Sequence, residues 1–281
     1  MRGRRDLSMA KKQPTELRLP IGLRVLRRLA FPKKLGILGK LYSKFLAGIG
    51  VAWVRSNAGP VWKLDLRNST HRWIVFGDYE GPGFISWAKK WVQEDSVVVD
   101  SGANIGQVLL YLAPKIKTGK YMAFEPFPPA REWLNECLQR YPEWLVKVED
   151  YGLGKKVGTA SLAGQWGGDA AVGSHTELQP GGGEIRMTTL DQYAEENSLN
   201  KIRLWKLDME GGEEAALQGA RALLKKQAIE ALILETDPER FNSVAKMLET
   251  FGYFAASWKG KELLGQRVES FGNILFLPKR Q

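Results

Sequence analysis

The sequence predicts an α/β fold: a doubly wound, mostly parallel seven-stranded sheet with an antiparallel C-terminal edge hairpin, preceded by an N-terminal helical and strand appendage. Three observations carry this expectation. From residue 97 onward, short apolar runs alternate with amphipathic stretches at the spacing of parallel strands and crossover helices. Three of those runs lead into acids, at Asp100, Glu125 and Asp208. The stretch Val97 to Gly106, VVVDSGANIG, passes from buried-strand composition through an acid into a glycine-spaced turn, the Rossmann-like way of delivering a strand end to a ligand.

The elements follow in order. Apolar positions from Ile21 to Ala30, and after Pro32 from Leu35 to Ile49, fall at helical spacing with arginines and lysines between them. Residues 1 to about 18 are polar and basic and are expected to be unstructured. Residues 51–95 read as a tryptophan-rich lid or N-terminal subdomain. Within it Val61 to Leu66 alternates as a strand, and His71 to Glu80 reads as a second strand. Gly81-Pro82-Gly83 then breaks the chain before a helix from Phe84 to Val92, which brings Tyr79 and Glu80 near the strand ending in Asp100. The domain proper, 96–281, gives strands at 97–100, 120–125, 145–150, 202–207 and 229–235. Helices are expected near 106–114, 128–140, 213–225 and 238–250, and closing strands near 253–257 and 273–277. The glycine-rich stretch 157–188 fits short β-like pieces of an inserted hairpin or substrate loop.

Composition narrows the function. The chain has 281 residues, 44% of them apolar, and one cysteine, Cys137, which has no partner for an internal disulfide. A reducing, cytoplasmic setting follows from that, and two histidines with one cysteine do not make a soft-ligand metal site. No apolar run approaches the length of a membrane span. The net charge of +10 is uneven: residues 1–50 hold 13 Lys and Arg against 2 Asp and Glu, leaving 28 against 29 for the rest. A basic arm on a near-neutral body points to peripheral contact with an anionic surface, a membrane leaflet before nucleic acid.

The chemistry gathers at the strand ends. The turn 102–106 is G-x-x-x-G, neither the dinucleotide fingerprint nor a phosphate loop, which argues against a nicotinamide dehydrogenase. Gly102 and Gly106 admit tight backbone turns and close approach to a ligand. About twenty residues on, YMAFEP ends in Glu125 and Pro126, and an acid there is placed to accept two ribose hydroxyls. In IRLWKLDMEGGE, Lys206, Asp208 and Glu210 alternate with apolar residues and are expected on one side of the exiting strand.

These residues resemble the FkbM-type S-adenosylmethionine-dependent methyltransferases. The resemblance is carried by VVVDSGANIG at 97–106, FEPFP at 124–128, TTLDQY at 188–193 and KLDMEGGEEAALQGA at 206–220, with Tyr79-Glu80 fitting the segment before the core. It spans roughly residues 60 to 281, and departs from the family where Ser101 stands in Asp-Ser-Gly-Ala-Asn and Gly212 in Gly-Gly-Glu. It implies that S-adenosylmethionine lies over Gly102, Ala103, Asn104 and Gly106, with Asp100 and Asn104 on its amino-acid tail and its ribose on Glu125. Glu80 and Pro126 join the cofactor set. The 149–154 segment would border adenine, with Glu149 and Asp150 as alternative acceptors. Asp208 and Glu210 would face the transferring methyl.

The reaction so implied is O-methylation of a saccharide, glycolipid or other small hydroxylated metabolite. Alignment of donor and acceptor and removal of one proton are its main requirements. Candidate bases are Asp208, Glu210, His71 and His175, with Lys206 tuning the carboxylates or orienting the acceptor. The tryptophans at 62, 73, 87, 91 and 166 offer faces for a sugar ring, or simply core. Two rivals are a nucleic-acid methyltransferase gripping phosphates through the arm and a non-catalytic donor-binding module. Against the first, LDMEGG stands where base-flipping enzymes carry an Asn/Asp-Pro-Pro-aromatic motif.

Overall fold

The computed structural model describes residues 15–77, 83–163, 177–180, 185–236, 238–263 and 272–279. The first helices are α1 (Ile21–Leu26) and α2 (Lys34–Ile49), followed by a hairpin of β1 (Val51–Arg55) and β2 (Val61–Asp65). Of the stretch expected to be unstructured only its last residues, from 15, are described, and there Leu17 N donates to Trp53 O at 2.7 Å.

The stretch read as a second strand is instead α3 (Ser69–Phe76). Its ends explain the difference. The Asn68 side chain accepts from Thr70 N at 2.8 Å as the N-cap, and Gly77 closes the helix in the left-handed conformation. Those two stop signals outweigh the β-branched and aromatic content between them.

After α4 (Phe84–Trp91) the regular alternation begins: β3 (Val97–Ser101), α5 (Leu109–Leu112), β4 (Lys120–Phe124), α6 (Pro128–Leu138) and β5 (Val146–Glu149). A small second sheet comes next, ordered β6-β9-β7-β8, from β6 (Gly152–Leu153), β7 (Gly158–Ala163), β8 (Glu177–Pro180) and β9 (Ile185–Thr188). The chain then makes α7 (Leu190–Glu196), β10 (Leu204–Leu207), α8 (Glu213–Gln218) and α9 (Arg221–Lys225). It ends with β11 (Leu232–Thr236), α10 (Pro238–Thr250), β12 (Tyr253–Ala256) and β13 (Gly272–Pro278).

The main sheet has seven strands in the order β12-β13-β11-β10-β3-β4-β5. All run parallel except β13, which lies antiparallel between β11 and β12. The expected C-terminal hairpin forms, with its second strand inside the sheet and its first at the edge. The order reverses between β3 and β10, and a doubly wound sheet leaves its crevice at such a reversal.

Two cores lie on opposite faces of this sheet. Val98, Leu204, Ile233 and Leu275 belong to one; Val99, Trp205, Leu207, Leu232 and Leu234 belong to the other. The first also takes in Leu23, Leu38 and Leu46 of the N-terminal helices and Trp62 of β2, so the appendage packs on the domain face. The second is covered by residues of α7 to α10. Strand periodicity of two makes this split, and it also fixes where the functional side chains point.

One helix expected over 213–225 is broken at Gly219. A Cβ there would lie 2.0 Å from Gly154 O, and the Asp191 carboxylate accepts from Ala222 N and Leu223 N at 2.8 and 3.0 Å, capping α9.

Candidate active site

A cavity of about 470 Å³ opens at the carboxyl ends of β3, β10 and β11. The period of two brings its polar wall together. Asp100 lies two residues on from Val98, Lys206 two on from Leu204, Glu235 two on from Ile233, and Asn273 two before Leu275, all anchored to the same core. Register aligns them in pairs: Lys206 of β10 is level with Asp100 of β3, and Glu235 of β11 with Asn273 of β13. Asp208 follows just beyond the end of β10. The rest of the lining comes from Trp73 of α3, Phe84 and Ile85 at the start of α4, and Gln107 and Val108.

The polar wall is a charge cluster around one buried ammonium. Lys206 Nζ donates to Asp208 Oδ2 at 2.7 Å. Burial alone would lower the Lys206 pKa; the Asp208 and Asp100 charges outweigh it and leave it raised. Burial pushes Asp100 upward, with Lys206 and the Tyr121 hydroxyl only partly opposing. Glu235 is pushed up by burial and then by its hydrogen bond to Asp208 and that group's charge.

The turn after β3 is held against its neighbours by backbone. Gly102 N and Ala103 N both donate to Phe124 O, at 3.0 and 3.1 Å, and Asp208 N donates to Ser101 O at 3.0 Å. Gly102 is obligatory here: its φ is +78°, and a Cβ would fall 1.8 Å from Asp208 O. Gly106, at φ +87°, has Trp62 and Leu134 where its Cβ would be, so its close approach is to core side chains.

Glu125 joins the same turn. Its two oxygens accept from Asn104 N at 2.7 Å and Phe127 N at 2.9 Å. Burial pushes its carboxyl up to about 7, with those two N–H donors and Arg131 opposing. Arg131 also fixes the Glu125 and Pro126 carbonyls, donating at 3.0 and 2.8 Å.

Two buried acceptors in this turn lack donors: Asp100 Oδ1, whose partner oxygen takes the Tyr121 hydroxyl at 2.7 Å, and Asn104 Oδ1. Unpaired buried acceptors are costly and are completed by a ligand that donates. The amino group of an amino-acid tail supplies such donors, so these residues fit S-adenosylmethionine.

The remaining expected site residues lie elsewhere. Glu149 is buried at the end of β5 and accepts from Tyr193 Oη at 2.7 Å; burial is outweighed by Lys147, Tyr193 and Tyr151, leaving its pKa lowered. Asp150 pairs with Arg186, which holds its carboxyl low. Glu210 does not share the cavity wall. It sits in the left-handed region at φ +51°, because β10 stops at Leu207 and the loop turns. Glu213 holds that loop, accepting from Met209 N and Gly211 N at 2.8 and 3.1 Å.

His71 is a correction: it is fully buried in α3, its Nδ1 accepts from Asp65 N at 2.9 Å, and its ring edges Trp133, so it is not brought to the cavity. Glu80 and His175 lie outside the described residues, as do Tyr79 and Trp166. Of the other tryptophans named from the sequence, Trp62 is core and donates to Ile105 O, and Trp87 and Trp91 stack on each other; only Trp73 faces the cavity.

Three lining residues, Glu235, Asn273 and Gln107, are not among the site residues expected from the sequence, whereas Trp73 is among the tryptophans expected to offer a face to a sugar ring. Glu235 had a signal: LILET is a fourth apolar run meeting an acid.

The FkbM methyltransferase domain matches residues 100–255, more than half of the chain. Over 143 residues the chain is 30% identical to hexuronic acid methyltransferase AglP of Haloferax volcanii, covering 51% of this chain and 56% of that protein. Over 146 residues it is 25% identical to Methyltransferase 1 of Beauveria bassiana, covering 45% and 59%. The chain thus spans little more than half the length of these curated relatives. Among solved structures, an rRNA methylase from Streptococcus thermophilus superposes with a TM-score of 0.42 at 16% identity, covering 70% of this chain and 94% of that one. A TehB-like SAM-dependent methyltransferase from Corynebacterium glutamicum gives 0.39 at 14%, covering 75% and 96%.

Proposed function

The chain belongs to the FkbM family of S-adenosylmethionine-dependent methyltransferases, and on that premise we propose that it methylates a hydroxyl of a saccharide, with Asp208 as the base. The observation that carries the reading is the position of Asp208: it lines the cavity beside its partners Lys206 and Glu235, in a lining that also includes Trp73. The likeness to a hexuronic acid methyltransferase supports a sugar as acceptor.

When bound, S-adenosylmethionine supplies an electrophilic methyl group on a sulfonium. Asp100 Oδ1 and Asn104 Oδ1, which lack donors, would accept from its ammonium. Each Glu125 oxygen already takes one backbone N–H and keeps a lone pair for a ribose hydroxyl. The 149–154 segment would border the adenine, with Glu149 and Asp150 as alternative acceptors. Trp73 gives the sugar ring an apolar face. Asp208 would take the proton of the acceptor hydroxyl, whose oxygen replaces sulfur on the methyl carbon while the donor departs as a neutral thioether. Lys206 fixes the Asp208 carboxylate, and the Glu235 carboxyl, its pKa raised, holds it by a hydrogen bond, so the base is oriented before the acceptor arrives.

Labelled donor incubated with uronic-acid glycans, neutral glycans and RNA tests the reading, the label being expected in a glycan fraction. Label confined to RNA would overturn it. Asp208→Asn should lower turnover by about 10²- to 10⁴-fold while donor binding by calorimetry persists. Glu210→Gln should change turnover far less; the reverse order would move the base to Glu210.

A further inference from the structure

The N-terminal helices display an apolar ridge to solvent. Ile21, Val25 and Leu29 recur every four residues along and just past α1, and Ile37, Leu41 and Phe45 do so along α2; all six are exposed, Ile21 at 71% and Leu41 at 62%. The two helices are neighbours: a Cβ on Gly22 would meet Tyr42 Oη at 2.7 Å. Leu23, Leu38 and Leu46 meanwhile sit in the core, so each helix buries one apolar stripe and leaves a second uncovered.

The ridge is firmly mounted. Buried Arg27 donates to Val75 O and Arg55 O at 3.3 and 2.8 Å, and Lys34 Nζ donates to Arg27 O at 2.6 Å. The charges around it have one sign. Arg24, Arg28, Lys33, Lys40 and Lys44 are exposed beside it, and no Asp or Glu occurs between Glu16 and Asp65.

We propose that this ridge docks the protein flat on an anionic lipid surface, the apolar side chains entering the interface and the cations meeting headgroup phosphates. Charge decides the occupant. A second copy of the same face would set these five cations against five more, whereas an anionic leaflet complements them. No helix among the described residues is long and apolar enough to cross a membrane, which leaves an in-plane contact. The mode goes beyond methyl transfer and uses none of the site residues.

The test is co-sedimentation of the full chain with phosphatidylglycerol-containing vesicles against pure phosphatidylcholine, alongside donor binding by calorimetry and the mass of the chain in solution. Expected is binding to anionic vesicles that weakens as salt shortens the Debye length from about 10 Å toward about 3 Å. Leu41→Asp with Phe45→Asp should reduce it at least about tenfold, and Lys40→Glu with Lys44→Glu by a similar factor. Both variants should keep donor affinity, since every altered side chain is exposed. Equal binding by wild type and variants, or no binding to either vesicle, overturns the proposal. So does a dimer in solution that the Leu41 and Phe45 changes make monomeric, which would give the face to a second copy.

Discussion

Glu125→Gln separates what the Glu125 carboxylate does to the fold from what it does for a ligand. Glu125 is 6% exposed, and burial raises its carboxyl from an ordinary value of 4.5 to about 7. With the folded value above the unfolded one, the folded protein retains a proton that the unfolded chain has already released between those two pH values. Stability therefore falls as pH rises from 4.5 toward 7, and the whole penalty is present above about pH 7. At about 1.4 kcal/mol per pH unit the window is worth about 3 kcal/mol. Glutamine has no proton to release. Its amide nitrogen must face one of the two backbone N–H groups, a loss of about 1 to 3 kcal/mol that is constant with pH. Urea denaturation of both proteins across that window should show the variant gaining about 3 kcal/mol on the wild type. Wild-type donor affinity should also rise with pH through the same window, because ribose hydroxyls donate to the ionised carboxylate, while the variant's affinity stays flat. Parallel stability curves for the two proteins would refute the reasoning.

Three more changes probe the turn and its neighbours. Gly102→Ala forces a Cβ into Asp208 O from a left-handed backbone, so melting temperature should fall, with a loss of at least about 2 kcal/mol and weakened donor binding. Lys206→Met leaves Asp100, Asp208 and Glu235 without their shared cation; denaturant titration should show about 3 to 5 kcal/mol lost at neutral pH, partly recovered in mild acid as the carboxylates take protons. Asp191→Ala removes the cap of α9 and should cost about 1 to 2 kcal/mol in the same titration, with donor affinity unchanged, because it touches only Ala222 N and Leu223 N at that end.

The sheet was legible because its strands are buried on both faces. Val97–Ser101, Lys120–Phe124 and Leu204–Leu207 are apolar runs, and their period of two let Lys206 and Asp208 be placed on one side in advance. The same period misleads once the strand ends: Glu210 keeps the alternation in sequence but lies past Leu207 on a left-handed turn. Other features depended on distant contacts. The break at Gly219 is imposed by the Gly154 carbonyl, sixty-five residues away. Trp73 is legible as a candidate sugar face by residue type alone, but the element that carries it is a helix where the sequence reads as a strand. Glu235 was read as the last residue of a strand, and only register with Asn273 and proximity to Asp208 make it part of the site.

The polar wall holds more acid than base. Asp100, Asp208 and Glu235 surround the single ammonium of Lys206, and burial answers the imbalance by raising the pKa of Asp100 and of Glu235. A wall built that way stabilises a ligand that brings positive charge with it, since each carboxyl then meets an opposite charge in place of water or a proton. The unpaired Asp100 Oδ1 shows where that charge is lacking. On the proposed reading, selectivity for a cationic donor comes from side chains that strand periodicity places together at the sheet's reversal point, ahead of any contact with the acceptor.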